Sequence, residues 1–236
     1  MLIELGGVRL LTDPVLRDRV GHLRRTAAPV APGAFERLDA VLLSHLHADH
    51  ADPPSLRRLG RPLVVAPRGA GRWLERRIPG EVRELAAGES MRVGATQIEA
   101  TPAHHDPRRW PVGVRAEPVG FVLRAAASVY FAGDTDLTPG MTGLRGTIDV
   151  ALLPVAGWGA NLGPGHLDAA RAVEAAVRIA PRVAIPIHWG TLAPRRPLRR
   201  HPEPSRPARE FGAILGRRAP GVEVRILAPG SATRVY

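Results

Sequence analysis

Residues 42–50 of the chain read LLSHLHADH and place three of the nine histidines and one aspartate directly behind an apolar run. The apolar run, which begins at Ala40, is typical of a buried β-strand. Four ionisable side chains crowded behind a buried strand need a cation to offset the cost of their burial and mutual repulsion. The stretch therefore predicts a metal site at the end of a strand. Imidazole and carboxylate ligands without thiolate suit zinc, manganese or iron.

The spacing within this stretch predicts how the side chains are shared between ions. Side chains of a strand alternate between its two faces, so His45 and His47, at the end of the strand predicted for residues 40–45, are expected to face one ion. Asp49 and His50 lie in the turn beyond, where they can reach a second ion. Two ions need more ligands, and these are expected at the ends of other apolar strands. The chain offers His104 and His105 after residues 93–101, Asp134 in a Gly-Asp-Thr turn, and His188 after a later apolar run.

Composition excludes several classes of site and partner. The chain of 236 residues has no cysteine, which excludes disulfide frameworks, iron–sulfur clusters and thiolate nucleophiles. Its net charge is +11, but all 33 basic residues are arginine, as the codon usage of a GC-rich genome would produce. Aromatic residues make up only 4% of the chain, which argues against base-stacking surfaces, so nucleic acid is not the expected partner.

The N-terminal segment lacks the basic region and long apolar region of a secretion signal, and no window reaches the roughly 18 apolar residues of a membrane span. We therefore expect a cytoplasmic protein without a transmembrane segment.

Short apolar runs alternate with turn residues and predict about eleven strands, among them residues 40–45, 63–66 and 93–101. Predicted helices are fewer. They cover Pro67–Ile78, Asp168–Ala180 and Ala208–Arg217. Hairpins mixed with β-helix-β passages favour two sheets covered on the outside by helices.

Two other features have alternative interpretations. The Pro- and Arg-rich segment Pro194–Pro207 predicts an irregular loop. Four of its arginines, a few residues after His188, could hold an anionic head group near the metals, or the loop could simply be solvated. These arginines are Arg195, Arg196, Arg199 and Arg200. Trp110, Trp158 and Trp189 could line an apolar pocket or belong to the core.

Four motifs together resemble the metallo-β-lactamase superfamily of metallohydrolases. They are HLHADH at 45–50, PAHH at 102–105, GDT at 133–135 and IHWGT at 187–191. The resemblance covers nearly the whole chain. Within the superfamily, the HLD of residues 166–168 and the IHWGT ending resemble the branch that contains N-acyl phosphatidylethanolamine-hydrolysing phospholipase D and L-ascorbate-6-phosphate lactonase.

The resemblance implies an α/β (α+β) fold, a four-layer αββα sandwich of two mixed β-sheets flanked by helices, formed by residues 1–236 as a single domain. Relatives usually carry extra residues with a Gly-His pair before the first strand, so we expect either that the given start is late or that the first strand is short. A binuclear site is implied at the edge of the sheets, with two divalent ions, zinc first and manganese or iron as alternatives.

The implied ligands are His45, His47 and His105 at the first metal, Asp49, His50 and His188 at the second, and Asp134 bridging the two. His105 is chosen over His104 because the spacing in the branch is Pro-Ala-x-His. Asp49 and His166 are the two expected catalytic residues. The resemblance implies that His166 contacts the substrate or donates a proton, the alternative being a histidine that pairs with the backbone where a helix begins. Asp168 is expected to cap that helix.

Two divalent ions would lower the pKa of a bound water from about 15.7 to about 7 and supply hydroxide as the nucleophile. Their four positive charges exceed the three negative charges of Asp49, Asp134 and the hydroxide. The excess favours a small or lipid-like anionic substrate with an ester, lactone or phosphodiester bond. A ribonuclease Z-like nuclease and a metal-stabilised binding protein without turnover are the alternatives. The absence of cysteine argues against hydrolysis of β-lactam antibiotics.

Overall fold

The computed structural model describes residues 1–30, 33–111, 113–157, 162–194 and 203–235. Within these ranges the chain forms seventeen strands and five helices. In chain order they are β1 (Leu2–Leu5), β2 (Val8–Thr12), β3 (Arg19–Val20), β4 (Leu23–Arg25), β5 (Ala40–Leu42), α1 (Pro53–Arg58), β6 (Leu63–Pro67), α2 (Gly71–Glu75), β7 (Val82–Leu85), β8 (Ser90–Val93), β9 (Thr96–Pro102), β10 (Arg108–Arg109), β11 (Val114–Arg115), β12 (Val119–Arg124), β13 (Ser128–Phe131), α3 (Gly140–Gly143), β14 (Val150–Pro154), α4 (Ala169–Ile179), β15 (Val183–Ile187), β16 (Leu192–Pro194), α5 (Arg206–Arg218) and β17 (Glu223–Val224).

Two large mixed sheets organise the fold. The first has the strand order β1-β2-β5-β6-β7, and all its strands except β1 run parallel. The second has the order β17-β15-β14-β13-β12-β9-β8. Its β13, β14, β15 and β17 run parallel, whereas β12 is antiparallel to both β13 and β9. Strands β5, β9, β13 and β15 all precede metal-competent side chains.

Three apolar clusters separate the layers. Leu10 and Leu42 of the first sheet pack against Phe121 of the second in the central cluster. On the outside, α4 and α5 cover the seven-stranded sheet, and α1 and α2 cover the five-stranded sheet through residues such as Leu56 and Leu74. Central strands such as β5 and β14 are buried on both faces, as their apolar residues require. The predicted four-layer αββα sandwich is confirmed.

Several predicted elements differ from the structure. The helix predicted for Pro67–Ile78 is wrong, because Pro67 ends β6 and only Gly71–Glu75 is helical. Residues 93–101 form no single strand, since a turn separates β8 from β9 and the two pair as a hairpin. The predicted helix Asp168–Ala180 is confirmed as α4, and the Asp168 side chain caps it by accepting the Arg171 N–H at 2.8 Å.

The last predicted helix begins at Arg206, two residues before Ala208, and ends at Arg218. The ends of the predicted loop Pro194–Pro207 are correspondingly wrong, because Pro194 belongs to β16 and Pro207 to α5. The four arginines proposed to hold an anion lie outside the described residues. Among the helices that the structure describes, none has the length and apolar character that crossing a membrane requires.

Candidate metal centre

The two sheets bring the carboxyl ends of five strands to one edge of the sandwich. Asp13 follows β2 and His45 follows β5 in the first sheet. His105 follows β9, Asp134 follows β13 and His188 follows β15 in the second. Because these strands are parallel within each sheet, their carboxyl ends meet, which is the usual position of ligands in such folds.

We call His45, His47 and His105 the three-histidine group. One ring nitrogen from each lies within 4.8 Å of the others. His47 Nδ1 is 3.0 Å from His105 Nε2, and the His45 ring centroid lies 4.6 Å from the centroids of both other rings. The predicted strand 40–45 ends at Leu42, so a loop rather than strand alternation brings His45 and His47 together.

Hydrogen bonds orient two of these rings. The Ser44 hydroxyl lies 2.9 Å from His45 Nδ1, and His105 Nδ1 donates to the Gly165 carbonyl at 2.8 Å. Both contacts leave Nε2 for the centre of the group. Gly165 has a φ of +79°, and a Cβ there would come within 3.1 Å of the His104 carbonyl oxygen. A glycine is therefore needed to bring this carbonyl to His105.

The three-histidine group is electrostatically prepared to bind a cation. Burial lowers the pKa of His45 well below its ordinary value and also lowers the pKa of His47. Burial lowers the pKa of His105 to about 4, despite the nearby Asp134 carboxylate. All three imidazoles are therefore neutral at neutral pH, which is the form that coordinates metals.

One atom supports the assignment of a cation to this group. His45 Nε2 is buried and has no hydrogen-bond partner among the described residues. An unpaired buried polar atom costs about 1–3 kcal/mol, which coordination would remove. Tetrahedral bonds of about 2.05 Å to zinc place ligand atoms about 3.3 Å apart, close to the 3.0 Å between His47 Nδ1 and His105 Nε2. The residues present fit the ion that the chain's motifs predict.

We call Asp49, His50 and His188 the mixed group. The Nε2 atoms of His50 and His188 lie 3.1 Å apart, and the Asp49 carboxylate lies 3.7 Å from His50 Nε2. His188 Nδ1 donates to the Ala156 carbonyl at 2.7 Å, which directs its Nε2 towards His50. The three side chains offer two imidazole nitrogens and one carboxylate to a second ion.

Asp13 belongs to the centre, although the sequence analysis missed it. Its carboxylate accepts from the Ser44 N–H at 2.8 Å, from the Ser44 hydroxyl at 2.6 Å and from His50 Nδ1 at 2.8 Å. The bond to His50 directs the Nε2 of that ring into the mixed group. Asp13 follows the apolar run of β2 directly, the same signal that identified Asp134 and could have identified this residue.

His50 differs from the other buried histidines in its protonation. Burial lowers its pKa, but the carboxylates of Asp134, Asp49 and Asp13 together raise it well above the ordinary value. In the metal-free protein, His50 therefore carries a proton at neutral pH. A cation that binds the mixed group must displace this proton.

Asp134 lies between the two groups. Its carboxylate oxygens are 3.2 Å from His50 Nε2 and 3.4 Å from His188 Nε2. A carboxylate oxygen of Asp134 also lies within 4.8 Å of a ring nitrogen of His105. Burial raises the pKa of Asp134, but the neighbouring His188 and His50 lower it by more. The pKa therefore lies well below its usual range.

Gly133 makes the position of this carboxylate possible. Its φ is +62°, and a Cβ at this residue would lie 2.5 Å from the Ser44 Cβ. Only glycine allows the backbone that carries Asp134 to approach the Ser44 segment of the other sheet so closely.

His166 stands beside the centre. Its Nε2 is 3.9 Å from an Asp134 oxygen, its Nδ1 lies 3.2 Å from the Pro164 carbonyl oxygen, and its ring packs edge-on against His105. His166 also lines a cavity of about 560 Å³. Other walls of the cavity come from Leu162, Asp168, Arg171, Asp136 and Glu210. The cavity thus adjoins the metal centre through His166.

The structure separates several candidate residues. His104 is exposed, whereas its neighbour His105 is buried within the three-histidine group. Trp110 is 75% exposed, and Trp189 packs against the core and donates to the Pro186 carbonyl. Neither tryptophan lines the cavity, and Trp158 lies outside the described residues.

Comparison with known proteins identifies the class. Residues 8–189 match the family described as the beta-lactamase superfamily domain, and the chain belongs to this superfamily. The chain is 34% identical to a UPF0173 metal-dependent hydrolase of Methanopyrus kandleri, over 97% of this chain and 93% of the relative. The protein is a metal-dependent hydrolase of this superfamily. Its narrower resemblance to the phospholipase D and lactonase branch stays a prediction.

Two solved structures share the fold. Igni18, a metallo hydrolase from Ignicoccus hospitalis, superposes with a TM-score of 0.72 at 23% identity, over 98% of this chain and 92% of that chain. CmlA, a diiron β-hydroxylase from Streptomyces venezuelae, superposes with a TM-score of 0.68 at 21% identity, over 94% of this chain and 50% of that chain. At these identities the likeness concerns the fold.

Proposed function

We propose that the protein is a binuclear metal-dependent hydrolase that cleaves an ester, lactone or phosphodiester bond in a small or lipid-like anionic substrate. One observation carries the proposal. Two groups of three donor side chains lie on either side of the buried Asp134 carboxylate, at the edge where the two sheets meet. Such a pair of neighbouring sites is the arrangement that two-metal hydrolysis requires.

In this proposal the three-histidine group would hold the first ion, the mixed group would hold the second and Asp134 would contribute to both. Zinc is the first candidate because it accepts three imidazoles or an imidazole and carboxylate set, and iron or manganese is the alternative. CmlA, which shares the fold, is a diiron enzyme, and this likeness supports testing iron as well. When bound, the ions would make hydroxide available at neutral pH and polarise the attacked carbonyl or phosphoryl group.

The residues of the chain supply orientation and a proton. The backbone carbonyls of Gly165 and Ala156 fix the rings of His105 and His188. His166 lies between Asp134 and the cavity, where it can contact the substrate and donate a proton to the leaving group. The Asp49 carboxylate lies 3.7 Å from His50 Nε2, where it would serve as a ligand and accept a hydrogen bond from the attacking water.

The adjacent cavity supports a substrate of small-molecule size. Its volume of about 560 Å³ lies within the range of about 300–1,000 Å³ of small-ligand sites. Its carboxylates are already engaged. Asp136 pairs with Arg171 at 2.7 Å, Asp168 caps α4, and Glu210 pairs with Arg206 at 2.7 Å. Repulsion from these walls is therefore weakened, and the charge of the two ions favours an anionic substrate.

The proposal is tested by loading purified protein with zinc, manganese or iron and assaying p-nitrophenyl esters, lactones and bis(p-nitrophenyl) phosphate, each with and without chelator. We expect turnover of at least one substrate class that chelator abolishes and a metal restores. Protein that binds two ions and turns over none of these compounds would contradict the proposal and favour a binding protein. Chelator-sensitive cleavage of RNA alone would favour the ribonuclease Z-like alternative.

The role of His166 is tested by H166Q. Removal of a general acid lowers kcat by about 10²–10⁴-fold. Because His166 is not proposed as a ligand, H166Q should still bind two ions. A parallel loss of metal would show that His166 is a ligand instead. If H166Q keeps both its kcat and its full metal content, His166 is instead the histidine that pairs with the backbone where the helix begins.

A further inference from the structure

Arg109 is a buried arginine that contacts the loop carrying three of the proposed ligands. It lies in β10, only 9% of its surface is exposed, and its Nη1 donates to the carbonyls of both Leu46 and Ala51. The distance from Nη1 to the Ala51 oxygen is 2.9 Å. One guanidinium nitrogen thus uses its two hydrogens to join two residues that are five positions apart.

These two carbonyls bracket the ligand loop, which we define as residues 46–51. The loop contains His47 of the three-histidine group and both Asp49 and His50 of the mixed group. Internal bonds to the His47 carbonyl, from the N–H groups of His50 at 3.1 Å and Ala51 at 2.8 Å, form its turn. They leave the Leu46 and Ala51 carbonyls to Arg109.

An aromatic ring also holds the guanidinium in place. The guanidinium carbon lies 4.3 Å from the centre of the Trp73 ring, which belongs to α2 on the outside of the five-stranded sheet. Burial lowers the pKa of Arg109 below its ordinary value, and the Arg77 charge adds to this, while the Asp52 and Asp49 carboxylates offset it only in part. An arginine stays protonated under these conditions, so the donors are permanently available. The stacked, planar group fixes both carbonyls in one geometry.

We propose that Arg109 is a positioning residue for metal binding, which holds the ligand loop in the conformation that presents His47, Asp49 and His50. The inference rests on the proposed function, because it concerns the ions that these side chains would bind. It predicts an unequal effect on the two groups. The loop supplies two of the three donors of the mixed group but one of the three donors of the three-histidine group.

The test is R109M, which keeps an apolar stem against Trp73 and removes the donors. Arg77 provides a matched control, since it also lies over Trp73, at 4.7 Å, and donates to a backbone carbonyl, that of Trp73 at 3.1 Å. Arg77 makes no described contact with the ligand loop. Zinc affinities of metal-free wild type, R109M and R77M are measured by competition with a chromogenic chelator, and amide exchange of residues 46–51 is followed without metal.

Loss of a residue that orients metal ligands typically lowers affinity about 10–100-fold. We expect this loss for the weaker zinc site, which we assign to the mixed group, in R109M, a smaller loss for the tighter site at the three-histidine group, and faster amide exchange in the ligand loop. R77M should keep both affinities within about twofold. A purely structural role predicts that folded R109M binds both ions as R77M does, and that outcome would overturn the inference.

If R109M does not fold, R109K carries the test. Its ammonium retains charge and donors but lacks the planar group, so we expect an intermediate loss at the weaker site. Wild-type affinity together with wild-type exchange in R109K would overturn the inference. A wild-type protein that binds fewer than two zinc ions would instead overturn the proposed function, so the two failures are distinguishable.

Discussion

The three-histidine group and the mixed group lie next to each other, yet the histidines of the first are neutral whereas His50 of the second is protonated. Burial dominates the first group and keeps its imidazoles neutral, with the pKa of His105 lowered to about 4. In the second group, His50 is equally buried, but three carboxylates raise its pKa well above the ordinary value. Similar burial therefore gives opposite protonation, because the neighbouring charges differ.

This difference in protonation shows how one chain can prepare two neighbouring cation sites. If both groups consisted of neutral imidazoles alone, the centre would carry too little negative charge to attract a second ion. Carboxylates that lie close together without a cation would repel one another unless a proton offset their charge. The proton on His50 stabilises Asp134, Asp49 and Asp13 until an ion displaces it. We infer that the three-histidine group fills first and that the mixed group exchanges a proton for its ion.

The largest effect is expected for D134N, which removes the carboxylate that both groups contact. Loss of one partner from a buried charged network costs about 3–5 kcal/mol, so we expect kcat/KM to fall by about 10²–10⁴-fold and both metal affinities to weaken. Kinetics and chelator competition measure the change. D149N is the control, since the Asp149 carboxylate bonds to Ser128 at the opposite end of β13. Equal metal loss in both variants would contradict a shared role for Asp134.

A smaller effect that separates the two groups is expected for D13N. The amide can no longer accept a charged hydrogen bond from His50, so affinity for the ion of the mixed group should fall about 10–100-fold. Affinity at the three-histidine group should change little. D39N is the control, because Asp39 accepts the Arg9 N–H at 2.7 Å near the other end of β2. An equal loss at both sites would remove the distinction between the groups.

The pH dependence of zinc binding should differ between the two groups. Because a cation must displace one proton from His50, zinc affinity at the mixed group should rise about tenfold per pH unit until the raised pKa of His50 is passed. Affinity at the three-histidine group should depend less on pH, since burial lowers the pKa of all three of its imidazoles, that of His105 to about 4. Chelator competition from pH 5 to 8 and proton release in weak buffer measure both. Identical pH profiles would contradict the assigned protonation.

The same shifts predict opposite effects on the stability of the metal-free protein. The folded-state pKa of His105 is below its unfolded value, so its contribution to the free energy of unfolding rises with pH between about 4 and 6.5. The pKa of His50 is raised on folding. Its contribution is fully present below about 6.5 and is lost as the pH rises through the folded-state pKa. Urea titrations of wild type, H105N and H50N at several pH values separate the two contributions.

The smallest effect is expected for H104N. His104 is exposed, whereas the adjacent His105 belongs to the three-histidine group, so H104N should keep both metal affinities and kcat/KM within about twofold. H105N is the comparison variant and should lose the tighter ion. A larger effect of H104N than of H105N would show that the other histidine of the pair binds the metal.

Local pattern predicted some elements and misplaced others for identifiable reasons. The amphipathic run of α4 and its Asp168 cap are local features, and both were predicted correctly. The helix predicted from Pro67 was wrong because Pro67 pairs with Leu85 as a buried strand residue, and only the sheet supplies that partner. Residues 93–101 alternate like one strand, but the turn after Val93 folds them into a hairpin.

The sequence by itself determined the class of the protein and the chemistry available to it. Histidines and aspartates directly behind apolar runs, in the absence of cysteine, are local facts that specify cations bound by nitrogen and oxygen, and the superfamily. It took the packed fold to show which donor side chains lie together, that Asp13 supports His50 and that Arg109 joins the ends of the ligand loop. Those relations depend on distances between strand ends far apart in the chain, and on burial and neighbouring charge, which exist only once the two sheets have packed.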